Sequence, residues 1–385
     1  MKKVRQSYIR WAVLGALLAF IWFASISSEI GEWYALNLYP GISIILSGIS
    51  SVLPFSLDEW VVVGAVVLLA GYPFYARMCK KSKWLSILGG ELEILVWVYV
   101  WFYWGWGMNY YRYTFFQRAE VKPATYDEDL FNGFLSTYTD SLKASFNACR
   151  EAAVFNTVDL FAPYSQETKR CIDSDVTEEV CAFRVADVQE KIKDSFGRVP
   201  DNYGLTVPKD YQKPKRLSFN ALYSNVGVLG FMGPFFAESH VNHELSVLEY
   251  PFTYAHELSH LLGVTSEAEA NLWAYIICTQ SADALIRFSG YFGLFSYVWS
   301  NNHYLLSAAE FEKWEASVPA EVMAAFYRTH AYWSLRHNKT LGKIQSSIYS
   351  FYLKRNRIST GIKNYGQVIG LLLSLPDYSI ELDKK

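Results

Sequence analysis

The sequence has no excess of charge of either sign, because 35 Lys and Arg residues nearly balance 37 Asp and Glu residues and leave a net charge of −2. A protein that binds nucleic acid presents a basic surface to the phosphates, and this balance gives no indication of one. The sequence also lacks internal repeats and low-complexity tracts. We therefore expect no nucleic-acid partner and no repeat architecture.

Cysteine is scarce, and no two cysteines form the C-x-x-C pair that is typical of cysteine-based zinc sites. Cys171 and Cys181 are close enough in sequence to close a short disulfide loop if this part of the chain lies outside the cytoplasm. Two unpaired thiols are the alternative, and the sequence leaves it open. The five cysteines are Cys79, Cys149, Cys171, Cys181 and Cys278.

Apolar and aromatic residues are abundant and are concentrated in the first 110 residues. Hydrophobic residues make up 51% of the chain and aromatic residues 17%, and an apolar excess at one end is typical of a membrane protein. Apolar segments at about residues 11–26, 60–75 and 84–108 predict three membrane helices. A signal peptide is the alternative for the first segment, but no convincing small-residue cleavage site follows it. We expect a membrane region at residues 1–110 and a second domain at residues 111–385.

The charges around these segments predict their orientation. Lys and Arg flank the N-terminus and the end of the second segment, whereas the loop between the first two segments is acidic. Basic loops stay in the cytoplasm, so three spans place the second domain outside it. A fourth apolar segment, residues 284–299, is short and contains Arg287, which predicts a buried helix of the second domain. We expect Glu91 and Glu93 in the third segment to face headgroups or the helix bundle.

The remaining sequence predicts a mainly helical domain with one small strand segment. Glycines interrupt β-favouring residues between Lys213 and Tyr250, which indicates short strands or an extended edge. Apolar residues at helical spacing predict helices in four further regions. These regions are residues 126–158, 178–196, 308–338 and 344–375, the last with a turn at Gly361.

A definite chemical signal comes from His256, Glu257 and His260, which form H-E-x-x-H. Residues four apart lie on one face of a helix, so both imidazoles can bind one cation. His and carboxylate ligands suit a Zn²⁺ that keeps a position for water, and Glu257 can take a proton from that water. The competing explanation is that the H-E-x-x-H match arose by chance and that the glutamates after it lie on a solvated helix face. The apolar surroundings of the motif and the glycine turn after it favour a zinc hydrolase.

The third ligand should come from the segment after the motif. Gly263 can adopt the positive φ that ends a helix. Ser266 then resembles an N-cap with Glu269 at the capping-box position, so a second helix should begin here. Glu267 in its first turn is our preferred third ligand and Glu269 the competitor, while Asn271 could support a ligand histidine.

Other polar residues are weaker candidates for the site. Glu238, His240 and His243 precede the motif and form a rival set of metal ligands. His330 and Tyr365 could stabilise an oxyanion, although each is more commonly a buried, hydrogen-bonded ring.

Several motifs together resemble a family of uncharacterised bacterial membrane proteins that share a domain of unknown function. They span most of the chain. The motifs are W-G-M-N-Y-Y-R at residues 106–112, G-P-F-F-x-E at 233–238, H-E-L-S-H-L-L-G at 256–263 followed by E-x-E-A-N, and the terminal F-Y-L-K and N-Y-G-Q-V-I-G-L-L-L.

The resemblance implies a membrane-anchored zinc metallopeptidase, and the chain is more remotely similar to gluzincin peptidases. Carried over from those enzymes, the ligands are His256, His260 and Glu267, the base is Glu257 and the supporting residue is Asn271. The gap between the second histidine and the third ligand is shorter here than in most gluzincins. In many zinc peptidases an upstream edge strand also binds the substrate backbone.

The sequence therefore predicts a mainly α protein, with three N-terminal membrane helices and a zincin-like extracytoplasmic domain that contains a small strand segment. It should be a multi-pass protein of the cell membrane that hydrolyses peptide bonds, with Zn²⁺ as cofactor and a peptide or protein as substrate. The lipid bilayer is its other expected partner. A membrane scaffold with a structural or lost metal site is the alternative, and a zinc hydrolase of lipid or cell-wall fragments is another.

Overall fold

A computed structural model describes residues 2–125, 127–152, 154, 159–173, 184–343, 346–347 and 368–383. The chain is 71% helical and contains a three-stranded sheet. This confirms the predicted mainly α fold with a small strand segment. The structure divides into two units, one formed by Met1–Tyr113 and Met232–Glu238, the other by Thr114–Phe231 and Ser239–Lys385.

The first unit contains three helices that are long and apolar enough to cross a membrane, as predicted. Many of their apolar side chains are exposed, for example Leu85 at 85%, which suits contact with lipid tails. A shorter helix, α3 (Tyr39–Ser51), precedes the second of these three helices in the chain. The helices of this unit are α1 (Lys2–Ile26), α2 (Ser28–Trp33), a π-helical turn (Tyr34–Leu38), α3 (Tyr39–Ser51), α4 (Leu57–Met78), α5 (Trp84–Gly105) and a 3₁₀ turn (Gly107–Tyr111).

Helices α1 and α5 run parallel to each other. Arg10 near the start of α1 pairs with Glu93 at 2.8 Å, and further along the same two helices Phe20 packs on Trp104 with ring centroids 5.0 Å apart. Both helices therefore end on the same side of the first unit, as three successive spans require. The ion pair also accounts for Glu93, because an apolar helix tolerates a carboxylate that has a charged partner.

Two carboxylates within the first unit fix the start of α4, because each accepts hydrogen bonds from backbone N–H groups in the other's segment. The Glu238 carboxylate accepts hydrogen bonds from the backbone N–H groups of Leu57 and Asp58, each at 3.1 Å. The Asp58 carboxylate in turn accepts from the N–H groups of Phe235 and Phe236 at 2.7 and 3.1 Å. The two bonds to Glu238 satisfy N–H groups that a helix start leaves unpaired, and they commit Glu238 to a structural role.

The second unit is built around three consecutive helices, which are α11 (Tyr250–Leu261), α12 (Glu267–Thr279) and α13 (Ala284–Leu305). Nearly all of α11 and all of residues 267–278 in α12 are buried, as expected for helices that are enclosed on every side. Its helices are α6 (Phe115–Arg118), α7 (Glu128–Glu151), α8 (Tyr164–Asp173), α9 (Val185–Phe196), a 3₁₀ turn (Asp201–Tyr203), α10 (Asn220–Asn225), α11 (Tyr250–Leu261), α12 (Glu267–Thr279), α13 (Ala284–Leu305), α14 (Ala308–Ser317), α15 (Ala320–Arg336), α16 (Val368–Leu373) and a 3₁₀ turn (Pro376–Tyr378).

The apolar segment 284–299 forms part of α13 in the second unit, which confirms its prediction as a buried helix. The helical region predicted at residues 308–338 is divided in two, because Pro319 forces Val318 into an extended conformation (ψ 139°) between α14 and α15. The predicted turn at Gly361 and the side chains of Cys171 and Cys181 lie outside the described residues.

The sheet consists of β1 (Lys215–Arg216), β2 (Gly230–Gly233) and β3 (Glu238–Val241), in the order β1, β3, β2. β1 runs parallel to β3, with Lys215 beside His240 and Arg216 beside Val241. Among the described residues, β2 has a strand on one side only.

Candidate metal centre

A tight bend between α11 and α12 brings the two halves of the motif together. Helix α11 ends at Leu261, and Gly263 follows with φ +104°, a conformation that glycine adopts without steric cost. Ser266 then caps α12, because its hydroxyl accepts a hydrogen bond from the N–H of Glu269. The first turn of α12, with Glu267, therefore lies beside the histidines of α11.

The donor atoms of His256, His260 and Glu267 form a small triangle. The two Nε2 atoms are 3.2 Å apart, and Glu267 Oε2 lies 3.2 Å from that of His256 and 3.6 Å from that of His260. Ligands bound to a tetrahedral Zn²⁺ at about 2.0–2.1 Å lie roughly 3.3–3.4 Å from one another. The triangle therefore has the size that zinc requires.

The other nitrogen of each imidazole is hydrogen-bonded to an oxygen. His256 Nδ1 lies 2.9 Å from Asn271 Oδ1, and His260 Nδ1 lies 2.8 Å from the carbonyl oxygen of Val264. An oxygen acceptor requires the proton on Nδ1, so each neutral ring directs the lone pair of Nε2 into the triangle. Two lone pairs and a carboxylate then face one another, and only protons or a cation can satisfy them.

The electrostatics agree with this description. Burial favours the neutral form of His260, but the charge and hydrogen bond of Glu267 outweigh it and raise the pKa of His260 to about 9. Burial likewise opposes ionisation of Glu267, yet the two imidazoles hold its pKa well below the usual value. The free site therefore retains a proton, which a divalent cation would replace on binding.

Glu257 is placed beside the triangle and is deeply buried. Burial is the main cause that raises its pKa to about 7, against the opposing effect of the two histidines. Its Oε2 atom is buried and has no hydrogen-bond partner among the described residues, so this carboxylate oxygen can accept a hydrogen bond from a small molecule such as water. His256 is the one residue of α11 that is not buried, and 13% of its side chain is exposed.

Strand β2 can lie close to the Glu257 side chain because residue 230 is a glycine. A Cβ atom at this position would lie 2.7 Å from both Cγ and Oε1 of Glu257 and equally close to the carbonyl oxygen of His240. No side chain fits in that space. In the sequence, Gly230 is only one of the glycines that interrupt β-favouring residues, because its long-range contact leaves no local signal.

Glu269, the competitor for the third ligand position, is engaged elsewhere. Its carboxylate accepts two hydrogen bonds from Arg118 at 2.7 and 2.6 Å and one from Trp273 Nε1 at 3.1 Å. The carboxylate of Glu269 is therefore bound to Arg118. In the predicted capping box it would instead accept a hydrogen bond from the backbone N–H of Ser266 at the helix start. Arg118 also donates to the carbonyl oxygen of Tyr203 at 2.6 Å. Arg118 was not identified from sequence.

Asn271 supports His256, in the position that the sequence predicted for it. The Nδ2 group of Asn271 donates to the hydroxyl of Tyr297 in α13 at 3.1 Å. Burial raises the pKa of Tyr297, so the hydroxyl stays neutral. Tyr297 was not identified from sequence, although a tyrosine in a buried helix generally needs a polar partner.

The rival ligands do not form a cluster of their own. In the described part of the chain, His256, His260 and Glu267 form the group whose geometry could hold a metal ion. Glu238 binds the start of α4, and His240 stacks on Phe231 with centroids 4.2 Å apart. His243 lies in the loop after β3, where its N–H bonds Asn220.

The two candidates for oxyanion stabilisation gain no support. His330 lies on α15, with its ring edge-on to Phe326 at 4.4 Å. Burial lowers the pKa of His330, against the charge of Glu249. Tyr365 lies outside the described residues.

Comparison with known proteins gives one match. A family described as a protein of unknown function (DUF3810) matches residues 34–373, which is most of the chain. No curated protein and no solved structure matches. The predicted membership of an uncharacterised family is thereby confirmed, whereas similarity to zinc peptidases stays a prediction. The chain belongs to the DUF3810 family of proteins of unknown function.

Proposed function

We propose that this protein is a membrane-anchored, zinc-dependent metallopeptidase. The observation that carries the proposal is the triangle of three acceptor atoms in His256, His260 and Glu267, whose size matches tetrahedral zinc coordination. A glutamate on the following helix with an asparagine four residues later is also the gluzincin pattern. Both support the same ligand set.

The chain supplies the remaining chemistry through Glu257. When bound, Zn²⁺ supplies Lewis acidity, which lowers the pKa of water and polarises a carbonyl group. The buried Oε2 of Glu257 accepts the proton of the attacking water. The same carboxyl group then delivers that proton to the leaving amine as the C–N bond breaks, so Glu257 returns to its starting state.

A peptide is the substrate class that the surroundings favour over a lipid or cell-wall fragment. Gly230 places the beginning of β2 directly beside Glu257. A strand with one open side can bind an extended peptide through main-chain hydrogen bonds. Such a peptide would present its carbonyl groups next to the base.

The proposed location is the cell membrane, with the catalytic unit on the extracytoplasmic side. Basic residues before α1 and after α4 support a cytoplasmic N-terminus. Because α1 and α5 run parallel, they would deliver the chain to the opposite side.

Metal analysis tests the proposal. We expect the full-length protein in detergent to hold one zinc per chain, to lose it and its peptidase activity to a chelator, and to regain both when zinc is added. His260→Ala should abolish zinc binding, whereas His330→Ala, which changes a histidine outside the centre, should preserve it. Zinc binding without peptide cleavage would favour a structural metal site or a non-peptide substrate, and a mixed peptide library distinguishes these outcomes.

Gly230→Ala tests the placement of Glu257. The added methyl group would have to displace either the Glu257 carboxylate or the strand, and a shift of this kind at a catalytic group can lower activity about 10²-fold. We expect kcat/KM to fall by this order while zinc content stays at the wild-type level. Gly370→Ala in α16, where a Cβ meets open space, is the matched control. Wild-type activity in Gly230→Ala would contradict the proposed position of the base.

A further inference from the structure

Tyr297 lies behind the metal centre and contacts it through Asn271. The three side chains form a chain of hydrogen bonds that begins at the hydroxyl of Tyr297 on α13, passes through the amide of Asn271 on α12 and ends at Nδ1 of His256 on α11. We propose that Tyr297 is a positioning residue, which holds the amide oxygen of Asn271 against His256 and thereby keeps that ring ready to bind metal. The inference rests on the proposed zinc centre.

The two ends of the Asn271 amide have different partners. Asn271 is almost completely buried, at 2% exposure, so its NH₂ group must find an acceptor or incur the cost of an unpaired buried donor. Tyr297 supplies that acceptor. With the NH₂ group satisfied there, the Oδ1 atom is left to accept the proton on Nδ1 of His256.

The orientation of the Asn271 amide matters because it determines which nitrogen of His256 carries the proton and which has a lone pair for a metal. If the amide turned round, its NH₂ group would face Nδ1, and only the tautomer with a proton on Nε2 could accept the bond. That tautomer has no lone pair for a metal in the triangle. Loss of the Tyr297 hydroxyl should therefore weaken zinc binding through Asn271, to which that hydroxyl is hydrogen-bonded.

A double-mutant cycle can separate positioning from general structural support. Tyr297→Phe removes the hydroxyl and keeps the ring. Asn271→Asp replaces the amide by a carboxylate, which is an acceptor at both ends and has no donor to satisfy. The structure predicts that Tyr297→Phe weakens zinc binding when residue 271 is Asn and has little effect on zinc binding when residue 271 is Asp.

The measurement is the zinc dissociation constant of the full-length protein in detergent, obtained by competition with a chromophoric chelator. The absorption spectrum of the Co²⁺-substituted protein reports ligand geometry independently of activity. We expect Tyr297→Phe to weaken zinc binding about tenfold in the otherwise wild-type protein and by less than about twofold in the Asn271→Asp background, where no amide donor is left unpaired. Tyr291→Phe, which removes a hydroxyl from the same helix without touching Asn271, should change neither readout.

Each outcome is decisive. Equal losses in both backgrounds, or an unchanged zinc affinity in Tyr297→Phe, would overturn the positioning role while leaving the proposed zinc centre intact. A wild-type protein that binds no zinc would overturn the proposed function, and this inference with it.

Discussion

Replacing Glu257 by Gln should lower the rate of peptide hydrolysis by about 10²–10⁴-fold, the range typical of a lost general base. Gln has nearly the shape of Glu but cannot accept a proton at neutral pH. Zinc should remain bound, because the three donors that form the triangle are His256, His260 and Glu267. The variant therefore separates the proposed base from the proposed metal ligands.

The measurement combines kcat/KM on a peptide substrate with the zinc content of the same preparation. Glu312→Gln is the matched control, because Glu312 is exposed on α14, and it should behave like the wild type. Glu257→Gln with wild-type activity would rule out Glu257 as the base. Loss of zinc from this variant would instead indicate that Glu257 takes part in coordination.

The local features of the site could be predicted from sequence. The i, i+4 spacing of the histidines, the glycine at positive φ and the serine N-cap each depend on backbone geometry within a few residues. The structure has all three at His256 and His260, Gly263 and Ser266. The small strand segment and the three apolar helices were predictable for the same reason, since periodicity and length are local properties.

The choice between Glu267 and Glu269 could not be made in this way. Two residues apart on a helix, the carboxylates point in directions about 200° apart, so only one can face the histidines. Which one does so depends on how α12 packs against α11 and on a partner for the other carboxylate. That partner, Arg118, lies 151 positions away in sequence, and no local pattern links the two residues.

The same limit applies to Gly230, Tyr297 and Glu238. In the sequence, Gly230 is a break between strands, Tyr297 is an aromatic residue of a predicted helix and Glu238 is a candidate metal ligand. Each gains its structural role from a residue distant in the chain: Glu257, Asn271 and the start of α4. Tertiary packing therefore decided which glutamate faces the two histidines and which partners these three residues have, while local sequence decided the helices and the bend that carry the motif.

The Arg118 pair leads to a prediction about stability. Both side chains are about 95% buried, and removing one member of a buried ion pair leaves the other charge without compensation, which costs about 3–5 kcal/mol. We expect Arg118→Met to lower the free energy of unfolding by this amount, because Glu269 stays buried and charged. Urea denaturation in detergent, followed by tryptophan fluorescence, measures the change.

The double variant Arg118→Met/Glu269→Gln tests the cause. Gln at position 269 removes the uncompensated charge and keeps an oxygen for Trp273 Nε1, so more than half of the lost stability should return. Lys191→Met provides the matched control, because it breaks an ion pair with Asp283 that is partly exposed, and such pairs contribute about 0–1 kcal/mol. If the single and double variants were equally unstable, the loss of stability would come from the Arg118 bond to Tyr203 and from packing. The uncompensated charge of Glu269 would then not be its cause.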